Sequence, residues 1–393
     1  MTMRPIFISY RRSWKAEVEK LAECLQLHGL RVFLDYSDGS ELIGASYNDE
    51  LRRIIEEQSE GMLLYITKGI AESSAIWNLE VPAALQHGDR EQDFFIVPFF
   101  REISPAALAQ MARHGARLAA CNGISAMPAN GVNLNSFLAE KYTETAVFIL
   151  KKMLRNKTGA ITLGLQTRLV SPVAADTDLF LGWCSIYPDE RPLASGCLAA
   201  HRALKNLSGV LSKAATRRIQ VQAKGHLSAG VALGAAFSRT TGFELEIEQN
   251  GQVWSSQGAL EPFDLRIISN RLDANLSDIC MTIAISRSET VASVDRAQEV
   301  LGIPRGGRIV IEPEVGSSRQ SIPSGGCARS IAGQAASALM KARAQWGLRK
   351  THLFISAPFA LAVLIGHELN ALGPIDVYEH VKTTDEYVKA FTL

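Results

Sequence analysis

Glu80 is the side chain in this sequence best placed to do chemistry. It lies in the stretch Ser73-Ser74-Ala75-Ile76-Trp77-Asn78-Leu79-Glu80-Val81-Pro82-Ala83-Ala84-Leu85, after the apolar run Met62-Leu63-Leu64-Tyr65-Ile66 and the polar turn Thr67-Lys68-Gly69. Apolar residues at helical spacing (Ile76, Leu79, Ala83) predict a buried strand, a loop and the start of a helix. In an open α/β sheet, ligands bind at the carboxyl ends of the strands. A carboxylate there can face a ligand, with Trp77 one turn earlier on the same side. Taken alone, a Glu early in a helix is more often a solvated residue favoured by the helix dipole, so its surroundings must decide.

A second group is suited to holding an anion rather than reacting. The strand Arg218-Ile219-Gln220-Val221-Gln222-Ala223 runs into Lys224-Gly225-His226-Leu227-Ser228-Ala229-Gly230 and then a helix of small residues through Gly234. The Gly-Lys-Ser/Thr ending of a Walker loop is missing. A strand–turn–helix junction still offers backbone N–H groups to an anion, and Lys224, His226 and Ser228 add polar groups. A tight turn whose glycines serve helix–sheet packing explains the same residues. The strand His352-Leu353-Phe354-Ile355 delivers Ser356-Ala357-Pro358 into another helix in the same way. These two junctions look like equivalent positions in two halves, and together they would form one anion-accepting cleft.

The elements that must position these groups alternate regularly. Ile6–Tyr10, Arg31–Leu34, Met62–Ile66 and Phe94–Pro98 read as strands. Helices between them carry Trp14, Val18, Leu21 and Leu25, then Leu51 and Ile54, then the Glu80 segment. That order implies a parallel sheet with helices on both faces. Ser136 is expected to cap the helix that closes this part, and the basic run Lys151–Gly159 reads as an exposed helix end and linker. From Ile161 the alternation restarts. Phe243, Leu245 and Ile247 alternate into the hairpin signal Asn250-Gly251, and a long helix spans about Ala328 to Trp346. The reading is two domains, 1–155 and 160–393, the second in approximate halves 160–300 and 301–393.

Composition narrows the class. The 393 residues carry 41 Lys and Arg against 40 Asp and Glu, a net charge of +1. That balance argues against a protein that coats long nucleic acid, while leaving room for a local basic pocket. Six scattered cysteines show no Cys-x-x-Cys pair, so neither a metal site nor a disulfide framework is expected, and a reducing cytosol fits. The apolar stretch near Phe354–Ile365 is short and interrupted by Pro358, so no membrane span is expected. The expectation is a cytoplasmic protein without a metal.

Phe7-Ile8-Ser9-Tyr10, Val32-Phe33-Leu34-Asp35, the loop to Gly44 and Glu80-Val81-x-x-Ala84-Leu85 together resemble a TIR domain over roughly the first third of the chain. One spacing departs from the pattern: the tryptophan of the enzymatic branch lies four positions before the glutamate, and Trp77 lies three before Glu80. The resemblance implies a flavodoxin-like parallel-sheet domain and, in that branch, cleavage of NAD at its nicotinamide–ribose bond. Nicotinamide departs as a neutral molecule, so no general acid is needed, and one carboxylate can steady the positive charge on the ribose. Ordinary glycosidases need two carboxylates because their leaving group must be protonated. Glu80 would be that catalytic carboxylate. Tyr10, Arg11, Phe33, Asp35, Gly44 and Trp77 would bind the substrate: Tyr10 and Arg11 near the phosphates, Phe33 and Trp77 stacked on nicotinamide. A core role for Phe33 and a solvated one for Arg11 are the alternatives.

Gly225-His226-Leu227-Ser228-x-x-Val231-Ala232-Leu233-Gly234 and His352-Leu353-Phe354-x-x-Ala357-Pro358-x-x-Leu361-Ala362-x-x-x-Gly366 resemble a SAVED domain over roughly the last three fifths. That implies two fused Rossmann-like (CARF-like) α/β units binding a cyclic oligonucleotide, most often cyclic tri-adenylate. The resemblance would place Lys224, His226, Ser228, Arg319, Ser356 and Pro358 around that ligand, with Trp183 or Trp254 as a stacking aromatic, although a core role is the commoner one for each. The combination is similar to effectors of the bacterial CBASS anti-phage system. There NAD is substrate, the cyclic oligonucleotide is activator, no cofactor is needed, and ligand drives head-to-tail self-association into a filament. In that assembly the Asp35–Gly44 loop would lie against Glu80 of the next protomer. A non-enzymatic adaptor that recruits a partner through its TIR domain is the alternative function.

Overall fold

A computed structural model describes residues 3–34, 45–111, 113–169, 176–318, 320–347, 349–369 and 372–393, with side chains at 45–47 not described. The chain divides into two compact units, Met1–Lys157 with Asp176–Leu181, and Thr158–Ala175 with Gly182–Leu393.

The first unit contains β1 (Ile6–Ser9), α1 (Lys15–Leu27), β2 (Val32–Leu34), α2 (Ala45–Glu57), β3 (Gly61–Ile66), α3 (Val81–Arg90), β4 (Phe95–Phe100), α4 (Pro105–Met111), α5 (Gly115–Ala119), β5 (Ile124–Ser125) and α6 (Leu134–Leu154). Its sheet runs β2-β1-β3-β4-β5, all parallel. That is the flavodoxin-like order, with its topological switch between β1 and β3. β3 is buried along its whole length, as its unbroken apolar run requires of a strand covered on both faces. Phe7, Met62, Leu64 and Ile66 join Leu51, Ile54, Ile55, Val81 and Leu85 in one apolar cluster. Each such Leu or Ile contributes about 2 kcal/mol by leaving water. The closing helix begins earlier than the sequence suggested. Asn133, not Ser136, is its cap, its side chain accepting from the Ser136 N–H at 3.1 Å.

The second unit holds two sheets. The first runs β10-β9-β8-β6, from β6 (Ile161–Gln166), β8 (Arg218–Lys224), β9 (Glu244–Gln249) and β10 (Gln252–Ser255), while β7 (Leu179–Gly182) falls, but for its last residue, in the first unit. The second is β11-β13-β12-β14-β15-β16, from β11 (Leu265–Arg271), β12 (Asp278–Ala284), β13 (Gly307–Pro313), β14 (Lys350–Ser356), β15 (Ile375–Val381) and β16 (Glu386–Thr392). Helices α7 (Ala194–Leu211), α8 (Leu227–Ala236), α9 (Thr290–Val300), α10 (Gly325–Trp346) and α11 (Phe359–Glu368) complete it. The second sheet takes all its strands from Leu265 onward.

The duplication is regular where it matters. β14 repeats β8 and α11 repeats α8 at one spacing, 132 residues, from 218 to 350 and from 227 to 359. α8 and α11 are buried almost throughout and pack on each other. Equivalent glycines let their backbones touch. A Cβ on Gly234 would overlap the Val363 carbonyl oxygen, and one on Gly366 would overlap that of Val231. Among the described residues, no helix is long and apolar enough to cross a membrane.

Candidate functional site

In the first unit the segment carrying Glu80 is not a plain helix start. A 3-10 turn, Lys68–Glu72, follows β3, and Ile76–Glu80 then forms one π-helical turn ahead of α3. Pro82 explains the wide turn. It has no N–H for the Asn78 carbonyl, and its ring would crowd that carbonyl in α geometry. The chain answers with a bond five residues long, from the Val81 N–H to the Ile76 carbonyl. Such π turns concentrate at functional sites. Glu80 ends this one and is 8% exposed.

The Lys68–Glu72 turn sets two of the expected neighbours. Arg11, just beyond β1, lies over Gly69, where any Cβ would overlap its guanidinium, and its Nη1 pairs with Glu72 at 3.2 Å. The Trp77 indole N–H donates to the Ile70 carbonyl at 2.8 Å. Trp77 and Phe33 are both half-buried on the rim of the cluster that includes Ile76 and Val81. Phe33 also stacks on Phe7, with ring centroids 5.8 Å apart. Tyr10 is half-buried at the end of β1. Glu80, Tyr10, Arg11, Phe33 and Trp77 therefore all belong to the carboxyl edge of this sheet or to the cluster beneath it. Asp35 and Gly44 lie outside the described residues. Ser9 and Thr67 went unassigned in the sequence. Both are 1% exposed at the ends of β1 and β3, with hydroxyls lacking a partner among the described residues. Their signal was a polar residue closing an apolar run beside the switch point.

The second unit has a cleft of about 470 Å³ where the β8–α8 and β14–α11 junctions meet. Ser356, Ala357 and Pro358 line it, as do Gly225 and Leu227. Lys224, His226 and Ser228 do not. Lys224 is exposed. His226 is 1% exposed, stacked on Tyr187 with centroids 4.1 Å apart, its Nδ1 2.8 Å from Thr167 Oγ1. Burial pushes its pKa down to about 3, helped by the Arg168 and Lys382 charges. Ser228 is buried with its hydroxyl 3.1 Å from that of Tyr187. The sequence left the backbone N–H groups of this junction open to an anion. In the structure the Ser228 N–H is already taken, donating to Glu379 at 2.8 Å. Arg319 lies outside the described residues. Trp183 and Trp254 are core residues, 1% and 5% exposed.

The cleft's charge comes from residues the sequence reading passed over. Arg168 follows β6, Arg287 follows β12, and Arg296 and Lys382 add two more cations, against Glu289, Glu379 and Asp385. Arg168 pairs with Glu190 at 3.2 Å, and Arg296 with Asp385 at 3.9 Å. Among the described residues Arg287 and Lys382 form no ion pair. The lining aromatic rings are His380 and Tyr387, centroids 5.0 Å apart. The available signal was position: Arg168 and Arg287 each stand two or three places beyond a strand's carboxyl end, where ligands meet such sheets. Among the described residues no cluster of His, Cys, Asp or Glu is suited to a metal ion.

Comparison with known proteins places names on both units. Residues 6–120 match the TIR domain family, and residues 201–393 match SAVED, the "SMODS-associated and fused to various effectors sensor domain". CD-NTase-associated protein 4 of an Acinetobacter species is 28% identical over 170 residues, 42% of this chain and 34% of the relative. Its Moraxella osloensis counterpart is 29% identical over 168 residues, 42% and 34%. The matched region thus spans about a third of the length of these relatives. The chain shares its fold with the Acinetobacter baumannii Cap4 SAVED/CARF-domain containing receptor. With the cyclic trinucleotide 2'3'3'-cAAA the TM-score is 0.51 at 17% identity, covering 90% of this chain and 86% of that one. With 3'3'3'-cAAA it is 0.50 at 16%, covering 98% and 99%.

Proposed function

This chain carries a TIR domain ahead of a SAVED domain, and from that premise we propose that it is an NAD hydrolase switched on by a cyclic oligonucleotide, cyclic tri-adenylate first among the candidates. The observation that carries the enzymatic half is Glu80, a carboxylate nine-tenths buried at the end of a π turn beside the sheet's switch point. Burying a carboxylate is costly unless something there uses or holds it. In the reaction the C1′–N bond breaks and its electron pair stays on the pyridine nitrogen, giving neutral nicotinamide. Glu80 steadies the ribose cation until water adds at C1′ and loses a proton, leaving ADP-ribose. The switch half is supported by the cationic cleft of the second unit and by the cyclic trinucleotides named with the A. baumannii receptor. Ligand in the cleft would favour head-to-tail stacking, shifting an assembly equilibrium by no more than its differential affinity for the stacked form. The role would be anti-phage defence by NAD depletion in the cytoplasm.

Purified full-length protein incubated with NAD, alone and with a panel of cyclic di- and trinucleotides, tests this. The expected result is nicotinamide release that depends on one ring and falls at least a hundredfold in Glu80→Gln. Release unchanged in Glu80→Gln overturns the assignment of the carboxylate. No release with any nucleotide leaves the adaptor reading.

A further inference from the structure

The two helix amino ends that face the cleft are capped from opposite halves. The Ser228 N–H in the first turn of α8 donates to Glu379 Oε2 at 2.8 Å, from β15 of the second half. The Ala360 N–H, the equivalent position of α11 at the 132-residue spacing, donates to Gln249 Oε1 at 3.1 Å, from β9 of the first half. Gln249 and Glu379 both line the cleft. The two caps are alike in reach and unlike in charge. A helix amino end attracts anions, and at α8 a carboxylate of the protein already holds that place. At α11 the cap is a neutral amide, with Ser356 to Pro358 lining the cleft beside it.

We propose that Glu379 is a specificity-determining residue of the cleft: it denies phosphate the α8 side, so an anionic ligand seats its phosphate on the α11 side and binds a nearly two-fold site in one orientation. The inference deepens the cyclic-oligonucleotide reading above and rests on it for the ligand class. A ring of like nucleotides offers near-identical edges to two near-identical loops, and one fixed charge selects between the two placements. Two of the neighbouring cations agree with this. Arg168, on the first half, has Glu190 as partner and Glu379 close by. Arg287, on the second half, forms no ion pair among the described residues and follows β12. The Ile285 and Ser286 N–H groups just before Arg287 donate to the Ser356 carbonyl at 2.8 and 2.9 Å. The charge of Arg287 is thus tied to the α11 side, while Lys382, also without an ion pair among the described residues, acts on His226 at the α8 end.

Two near-isosteric exchanges in the full chain test the proposal. Glu379→Gln keeps a cap on α8 and removes its charge; Gln249→Glu places a carboxylate on α11. Binding is measured by calorimetry at several salt concentrations with two probes, cyclic tri-adenylate and tripolyphosphate, the second carrying phosphate charge without bases. Expected are about tenfold weaker binding of both probes in Gln249→Glu, and binding at least as tight as wild type in Glu379→Gln with a steeper salt dependence. A thermal melt confirms that each variant folds. Equal weakening by the two exchanges, or no change in either, overturns the proposal while leaving the ligand reading intact. Failure of the wild type to bind any cyclic oligonucleotide, with the expected pattern for tripolyphosphate, upholds the role of Glu379 and removes the nucleotide. Failure of the wild type to bind either probe overturns both.

Discussion

Single side chains carry the chemistry, and their surroundings make specific demands. Gly69 seats Arg11 by having no side chain. If Arg11 serves NAD, Gly69→Ala and Arg11→Ala should raise the KM for NAD to a similar degree, severalfold, with kcat less affected, as steady-state nicotinamide release would show. His226 makes a pH prediction. Its pKa is near 3 in the folded chain, against about 6.5 when unfolded. Between those values the unfolded state binds the extra proton, so stability is complete above the unfolded value and lost as pH falls. Acidification from neutrality to pH 5 should cost about 2 kcal/mol through this residue, and His226→Gln should flatten that part of the denaturation profile. Glu379 works with the opposite sign. Burial raises its pKa, against the pull of the Ser228 and Leu227 N–H groups and Arg168. Its ionisation therefore costs stability as pH rises past the unfolded carboxylate value, and the melting temperature gained by Glu379→Gln should be larger at pH 8 than at pH 5. Glu80 could be singled out from sequence because strand, loop and helix signals surround it. Glu379 could not, since nothing in Val377-Tyr378-Glu379-His380 announces a cap for a helix about 150 residues earlier.

At the scale of elements, spacing was readable and register was not. The central strands of the first unit stood out as apolar runs because both of their faces are covered. The π turn was hidden, because a proline in the first turn of a helix is ordinarily harmless. Its cost arises here because Ile76–Glu80 is already helical ahead of it. Pro82→Ala restores the missing donor and lets the turn tighten, which rotates Glu80 relative to α3. Nicotinamide release should fall at least tenfold while the melting temperature holds or rises. β11 was unreadable for a different reason: it is an edge strand exposed along most of its length, so it shows no buried face to alternate against. The glycines of α8 were expected to serve helix–sheet packing, and the sequence did not disclose the α8–α11 contact. Gly234→Ala or Gly366→Ala pushes a methyl into the partner's carbonyl and should destabilise the second unit by about 1–3 kcal/mol, read by chemical denaturation.

For the molecule as a whole, the sequence disclosed two α/β parts and an internal duplication. The 132-residue period is carried by β8, α8, β14 and α11. The segments between them differ in length and content, so the eye finds the junctions before it finds the halves. The charge of the cleft escaped for the same reason. Its cations come from loops after β6 and β12, from α9 and from the β15–β16 turn, separate places in the chain that the fold brings together.

The crossed caps have a consequence for how this chain could be taken apart. Each half finishes a helix that belongs to the other, so a cut in the 257–264 connection would sever the chain without separating its products. Fragments ending and beginning there should co-purify and regain the cleft on mixing, whereas either one alone would present a raw helix end and a strip of bare backbone to water. Duplication thus left behind two pieces that have become each other's missing part.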